Sequence, residues 1–136
     1  YRHNPSYLSG VDINLDKVVP TADIRQSVLA SEIVVLAVPA AFIADVLKKL
    51  LPTDLKGKTI VSSIKGMVPI DNMLITHYTA KKFDLPDDSF LVIAGPCHAE
   101  EVALEKQSYL TIGGQDIGKA QFFANLVKCR FIKANV

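Results

Sequence analysis

Cysteine is scarce in this chain. Cys97 and Cys129 are its only two, they form no spaced framework, and they argue against a disulfide-stapled scaffold. A reducing compartment, the cytoplasm, is the expectation. Charge of one sign is lacking too: fifteen basic and fourteen acidic residues leave a net charge of +1. That balance gives no reason to expect nucleic acid or an anionic membrane as partner. No long apolar run occurs. The longest nearly apolar stretch, Ile33 to Ala44, is broken by Pro39 and falls short of the roughly 20 residues of a spanning helix. No cationic, apolar leader opens the chain. Finally, Gly-x-Gly-x-x-Gly occurs nowhere in it, so the usual pyrophosphate loop of a dinucleotide-binding sheet is not written here.

What is present reads as one globular α/β domain. The chain has 136 residues, 49% hydrophobic and 21% charged, enough for a sizeable core. It opens Tyr1-Arg2-His3-Asn4-Pro5 without an initiator Met, which suits a processed chain or a piece of a longer one. Apolar, Val- and Ile-rich runs predict strands at Ile33–Val38, Thr59–Ile64, Leu91–Ala94, Tyr109–Ile112 and Arg130–Ala134. Helical periodicity falls between them. Ile43, Val46, Leu47, Leu50 and Leu51 share a face, as do Ile70, Met73, Leu74, His77 and Tyr78, and Ile117, Ala120, Ala124 and Val127. Asp23, Asp71 and Asp116 stand where helix starts are expected. The alternation predicts consecutive parallel strands joined by helical crossovers. On this pattern His77 and Cys129 are expected in the core.

Two strand ends hold the chemistry. Leu91 to Ala94 runs into Gly95-Pro96-Cys97-His98-Ala99-Glu100-Glu101, and Ile60 to Ile64 runs into Lys65-Gly66. Open α/β sheets bind ligands outside the carboxyl ends of their strands. Lys65 there reads as a point charge for a phosphate or carboxylate, or as a solvated loop lysine. The Gly95-Pro96-Cys97 turn reads as an anion cradle of backbone N–H groups, or as a plain strand-to-helix link. Cys97-His98 as a nucleophile–base pair is disfavoured, because sequential neighbours point apart. Cys97, His98, Glu100 and Glu101 lack a second pair at metal-ligand spacing. Phe42, after Val38-Pro39, either stacks on a flat ring or seals a helix against the sheet.

Taken in order, His3-Asn4-Pro5-Ser6-Tyr7-Leu8, Ala37-Val38-Pro39, Ile64-Lys65-Gly66 and Ala94-Gly95-Pro96-Cys97-His98-Ala99-Glu100-Glu101-Val102-Ala103 resemble NAD(P)-dependent glycerol-3-phosphate dehydrogenases. The resemblance runs through the whole chain. It implies a Rossmann-like, mostly parallel sheet with flanking helices, here the latter part of the cofactor domain over residues 1–136. The first βαβ unit with its Gly-rich loop and the C-terminal helical substrate domain are expected to lie outside it. It implies hydride exchange between NADH or NADPH and dihydroxyacetone phosphate, giving sn-glycerol 3-phosphate for phospholipid synthesis. By the same resemblance, Lys65 stands at the junction of cofactor and substrate phosphate, and Gly95 and Cys97 match substrate-contacting positions. Ala99 matches a cofactor contact, and Phe42 an aromatic near the nicotinamide half. No catalytic residue is carried over, Lys133 included, and the chain alone is expected to be inactive.

Two residues depart from the family pattern. Cys97 replaces the usual Ser, so a good hydroxyl donor becomes a weak S–H, and His98 replaces the usual Phe. A 6-phosphogluconate-like or hydroxyacyl-type dehydrogenase shares the strand–Val-Pro pattern but fits the Lys65-Gly66 and Gly95-Pro96 pair less well. A non-catalytic α/β binding module is the third reading. Without the central first strand, the strand at Ile33–Val38 is expected to carry a bare apolar edge, which favours a homo-oligomer built there.

Overall fold

The computed structural model describes residues 3–69 and 71–136. In chain order the elements are α1 (Ile24–Leu29), β1 (Ile33–Leu36), a 3-10 turn (Ala40–Phe42), α2 (Ile43–Leu47), β2 (Thr59–Ser62), β3 (Met67–Val68) and β4 (Met73–Leu74). They continue with α3 (Ile75–Phe83), a second 3-10 turn (Asp87–Ser89), β5 (Phe90–Ala94), α4 (Ala99–Ala103), β6 (Ser108–Gly114), α5 (Ile117–Val127) and β7 (Ile132–Asn135). Five strands form one sheet in the order β1-β2-β5-β6-β7, while β3 and β4 make a small antiparallel ribbon.

The sheet is mostly parallel, but not throughout. β1 with β2, β2 with β5 and β6 with β7 are parallel, whereas β5 and β6 are antiparallel. The all-parallel expectation fails there for a reason of length. α4 has five residues and rises about 7 Å, while β5 spans about 17 Å. One short turn of helix cannot carry the chain back to the far end of the sheet. The chain instead reverses through Glu105, whose φ is +55°, and β6 starts where β5 stopped.

Side chains alternate between two cores. Leu36, Ile60 and Phe90 face Val28, Ile43, Leu47, Leu55, Ile75 and Phe83 on the side of α1, α2 and α3. Val61, Leu91, Leu110, Ile112 and Ala134 face Ala120, Phe123 and Ala124 of α5 on the other. Period-two alternation gives Ile60 and Val61, and likewise Phe90 and Leu91, to opposite layers, while β6 and β7 serve the α5 core alone and expose their alternate residues.

Asp23 caps α1 by accepting the Gln26 N–H at 3.0 Å, and Asp116 caps α5 by accepting that of Lys119 at 2.9 Å. Asp71 is a correction. It lies in the turn between β3 and β4, and α3 begins only at Ile75, with no side-chain cap. Met73 and Leu74 belong to a strand for the same reason, and the Ile70 expectation falls outside the described residues. His77 and Cys129 are exposed, not core. α3 buries Ile75, Thr79 and Phe83, a stripe that leaves His77 on the outer side. α2 ends at Leu47, so Leu51 lies beyond its face and is exposed.

β1 lies at one edge of the sheet. An apolar groove of about 250 Å³ runs beside it, lined by Ile24, Val28, Val34, Leu36, Ile43 and Leu47 among others. No helix of the described residues is long and apolar enough to cross a membrane.

Candidate functional site

The carboxyl ends of β1, β2 and β5 share one rim, because these three strands are parallel neighbours. β1 gives way to Val38-Pro39, where the missing N–H ends the ladder, and the chain curls into the turn that carries Phe42. β2 leaves through Ser63, whose N–H and hydroxyl both donate to the Leu36 carbonyl oxygen, at 3.1 and 3.0 Å. The next turn reaches Lys65-Gly66, with Gly66 at φ +111° and its face toward Ala40. The end of β1 therefore lies against the end of β2.

β5 stops at Gly95, at φ +106°. Glycine is required there twice over. L side chains rarely adopt that φ, and a Cβ would stand 2.6 Å from the Tyr109 carbonyl oxygen of β6. Gly114 does the same at the other end of the pairing, where a Cβ would meet Leu91 Cδ2 at 2.5 Å.

The structure brings Lys65 and Gly95 together. Lys65 Nζ donates to the Gly95 carbonyl oxygen at 3.2 Å, which ties the end of β2 to the end of β5. Lys65 is exposed. An ammonium carries three donors, so the carbonyl leaves capacity for an anion above the rim.

Phe42 is 59% exposed, so it does not seal a helix against the sheet; Ile43 and Leu47, both fully buried, do that. Cys97, His98 and Ala99 are exposed. Among the described residues no hydrogen bond joins the Cys97 thiol to His98, and no group of three metal-ligating side chains gathers. The His98 carbonyl oxygen accepts the N–H groups of Glu101 and Val102 at 3.0 Å each, which starts α4.

Cys97 and Ala99 also border a cavity of about 600 Å³, shared with Leu8, Val11, Val102 and Phe131. Its outer wall comes from the amino-terminal segment. The Tyr7 hydroxyl donates to Glu100 Oε1 at 2.6 Å. That bond raises the Tyr7 pKa and holds the Glu100 carboxyl below its usual range. Both residues stand inside the motifs of the sequence, but nothing there points to their pairing. They lie 93 residues apart, and no periodicity or spacing connects them.

Residues 1–120 match the family model described as NAD-dependent glycerol-3-phosphate dehydrogenase N-terminus. The glycerol-3-phosphate dehydrogenase [NAD(P)+] of Bacillus velezensis is 31% identical over 126 residues, covering 90% of this chain and 36% of that one. The enzyme of the same name from Bacillus subtilis is 28% identical over 121 residues, covering 87% and 34%. The chain thus spans about a third of the length of these curated relatives. Two solved structures share its fold. DsGPDH of Dunaliella salina superposes with a TM-score of 0.86 at 21% identity, over 99% of this chain and 23% of that one. Plasmodium falciparum glycerol-3-phosphate dehydrogenase gives 0.84 at 23% identity, over 99% and 38%. The match favours this family over the 6-phosphogluconate-like and hydroxyacyl-type readings, and the chain belongs to the family of NAD-dependent glycerol-3-phosphate dehydrogenase N-terminal domains.

Proposed function

We propose that this chain is the latter part, residues 1–136, of the nicotinamide-cofactor domain of a dehydrogenase interconverting dihydroxyacetone phosphate and sn-glycerol 3-phosphate. The observation that carries the reading is the Lys65–Gly95 hydrogen bond, which sets an exposed ammonium over the junction of two strand ends. In this reading Lys65 holds the substrate phosphate beside the cofactor as a point charge. Gly95 and Cys97 line the substrate side, where their backbone, not the weak S–H, gives the polar contacts. Ala99 lies against the cofactor, and the exposed Phe42 ring offers a flat apolar face to the nicotinamide half.

The rim suits such a group: one cation, an exposed aromatic ring, and a turn whose Cys97 and His98 N–H groups meet no protein acceptor among the described residues. Either NADH or NADPH, when bound, supplies the hydride chemistry. This chain's own residues bind and orient the partners. The exposed, unpaired thiols of Cys97 and Cys129 suit the reducing cytoplasm. A homo-oligomer through β1 goes with this reading, since Ile33–Leu36 is uncharged along its whole length and can pair with a second copy of itself across a two-fold axis.

Calorimetric titration of dihydroxyacetone phosphate into the wild-type chain and Lys65→Met tests the assignment. A charge-assisted contact is worth roughly tenfold in affinity, and that loss is expected for the phosphorylated ligand and not for dihydroxyacetone. Equal affinity of both proteins for the phosphate ester would remove Lys65 from the site.

A further inference from the structure

We propose that Tyr7 and Glu100 form a positioning pair, whose hydrogen bond seats residues 4–11 against α4 and fixes the Gly95–Ala99 turn for a phosphorylated ligand. The inference rests on the reading of the rim given above and adds to it residues that the family resemblance assigned nothing.

Three observations converge on this pair. First, the loop is built to aim Tyr7. Asn4 Oδ1 accepts the N–H groups of Ser6 and Tyr7 at 2.9 and 3.2 Å, and Leu8 follows in the left-handed region at φ +53°. A leucine held there is strained, and such strain persists only where surroundings impose it. Second, the segment has few other ties among the described residues. No residue from 3 to 20 is buried. Among the described residues, the Tyr7–Glu100 bond is the one hydrogen bond joining residues 3–20 to the rest of the chain. Third, the segment it anchors borders the site. Leu8 and Val11 face Cys97, Ala99 and Val102 across the 600 Å³ cavity, immediately behind the turn.

The physical consequence is a division of labour. Lys65 holds the near side of the turn through the Gly95 carbonyl, and Tyr7 holds the far side through Glu100. α4 has only five residues and buries none of them. Its own helical hydrogen bonds are too few to keep it in place, because short helices depend on tertiary contacts. Release of Tyr7 therefore frees Cys97 to Leu104 as a unit.

Amide hydrogen exchange on the full chain reads this directly in Tyr7→Phe, Glu100→Ala and Glu100→Gln. Exchange at Glu101 to Leu104, the bonded amides of α4, is expected to speed up about tenfold in Tyr7→Phe and Glu100→Ala, as loss of a charge-assisted bond implies. Glu100→Gln keeps an acceptor oxygen without the charge and should rescue in part, to exchange about threefold faster than wild type. The amides of Ala120 to Ala124 in α5 should not change in any variant, which separates local release from global unfolding. Wild-type exchange in Tyr7→Phe, or failure of the glutamine variant to rescue, overturns the pair. Titration of dihydroxyacetone phosphate is the second arm, with weaker binding expected for Tyr7→Phe. If the wild-type chain binds none, the ligand reading falls while the exchange data still decide whether the pair positions the turn.

Discussion

The Asp54 carboxylate, almost wholly buried, receives Arg25 Nε at 2.8 Å, and the same Oδ2 atom accepts the Leu51 N–H at 2.9 Å. One side chain thus joins α1 to the loop that follows α2. The Arg25 guanidinium and the Leu51 N–H keep the Asp54 carboxyl below its usual range. A lowered folded value means that the unfolded chain binds the proton more readily. The stabilisation is complete above the ordinary carboxylate value, about pH 4, and is lost as pH falls through the folded one. Asp54→Asn should lower the melting temperature by several degrees at pH 7. Calorimetry across pH 7 to about pH 3 should show the gap to wild type constant at first and narrowing only in acid. A gap independent of pH down to the lowest value would mean that the carboxylate charge contributes nothing.

Phe42 separates a binding role from a packing role. The ring is 59% exposed, so Phe42→Ala should change unfolding stability by no more than about 0.5 kcal/mol, the range of surface substitutions. Affinity for NADH, followed by the fluorescence of the reduced nicotinamide, should fall severalfold. A loss of about 3 kcal/mol in urea unfolding, as for a core aromatic, would contradict the exposed position.

Gly95→Ala tests the close approach of β5 to β6. The added methyl meets the Tyr109 carbonyl oxygen at 2.6 Å, in a backbone conformation at φ +106°. The combined strain should cost about 2–4 kcal/mol, read as a lower denaturant midpoint at unchanged slope. Gly113→Ala, with open space around the glycine, is the control and should stay near wild type.

The β1 edge predicts self-association. Light scattering should give a mass above one 14.8 kDa chain, and Val35→Lys should return it to the monomer, since a charge on an edge strand opposes pairing. Val35 is 46% exposed and tolerates the long side chain. A monomeric wild-type chain at high concentration would end the idea.

Much of this was legible in the sequence. Val- and Ile-rich runs located every strand of the main sheet to within a few residues, because each strand gives at least one face to a core and β-branched residues suit that face. Asp23 and Asp116 announced their helices through a local bond that needs no tertiary context. The rim was legible because strand-stopping residues are local signals: Pro39, Gly66 and Gly95 each end a run. Direction was not legible. Whether β6 runs with β5 or against it depends on how far α4 carries the chain, and the helical pattern of Ala99–Ala103 does not show where it will break. The ribbon of β3 and β4 was missed because Met73 and Leu74 also fit a helical face. The Tyr7–Glu100 bond was out of reach altogether, since it exists only once residues 93 positions apart are folded together.

The two glycines that border the β5–β6 pairing have a further effect, on registry. Gly95 and Gly114 sit at opposite ends of the ladder, each where a side chain would strike the other strand. A slip of β6 by one residue in the direction that sets Gln115 opposite Leu91 would drive its side chain into the place kept clear for Gly114. The same slip would turn Leu110 and Ile112 out of the α5 core. Of the two notches, the one at Gly114 opposes that slip, and the loss of Leu110 and Ile112 from the α5 core opposes a slip either way, so the reversed strand meets the rim at a fixed height. A mutation that fills either notch should act at the rim as well as on stability, because the alignment of β6 sets where the turn behind Gly95 can sit.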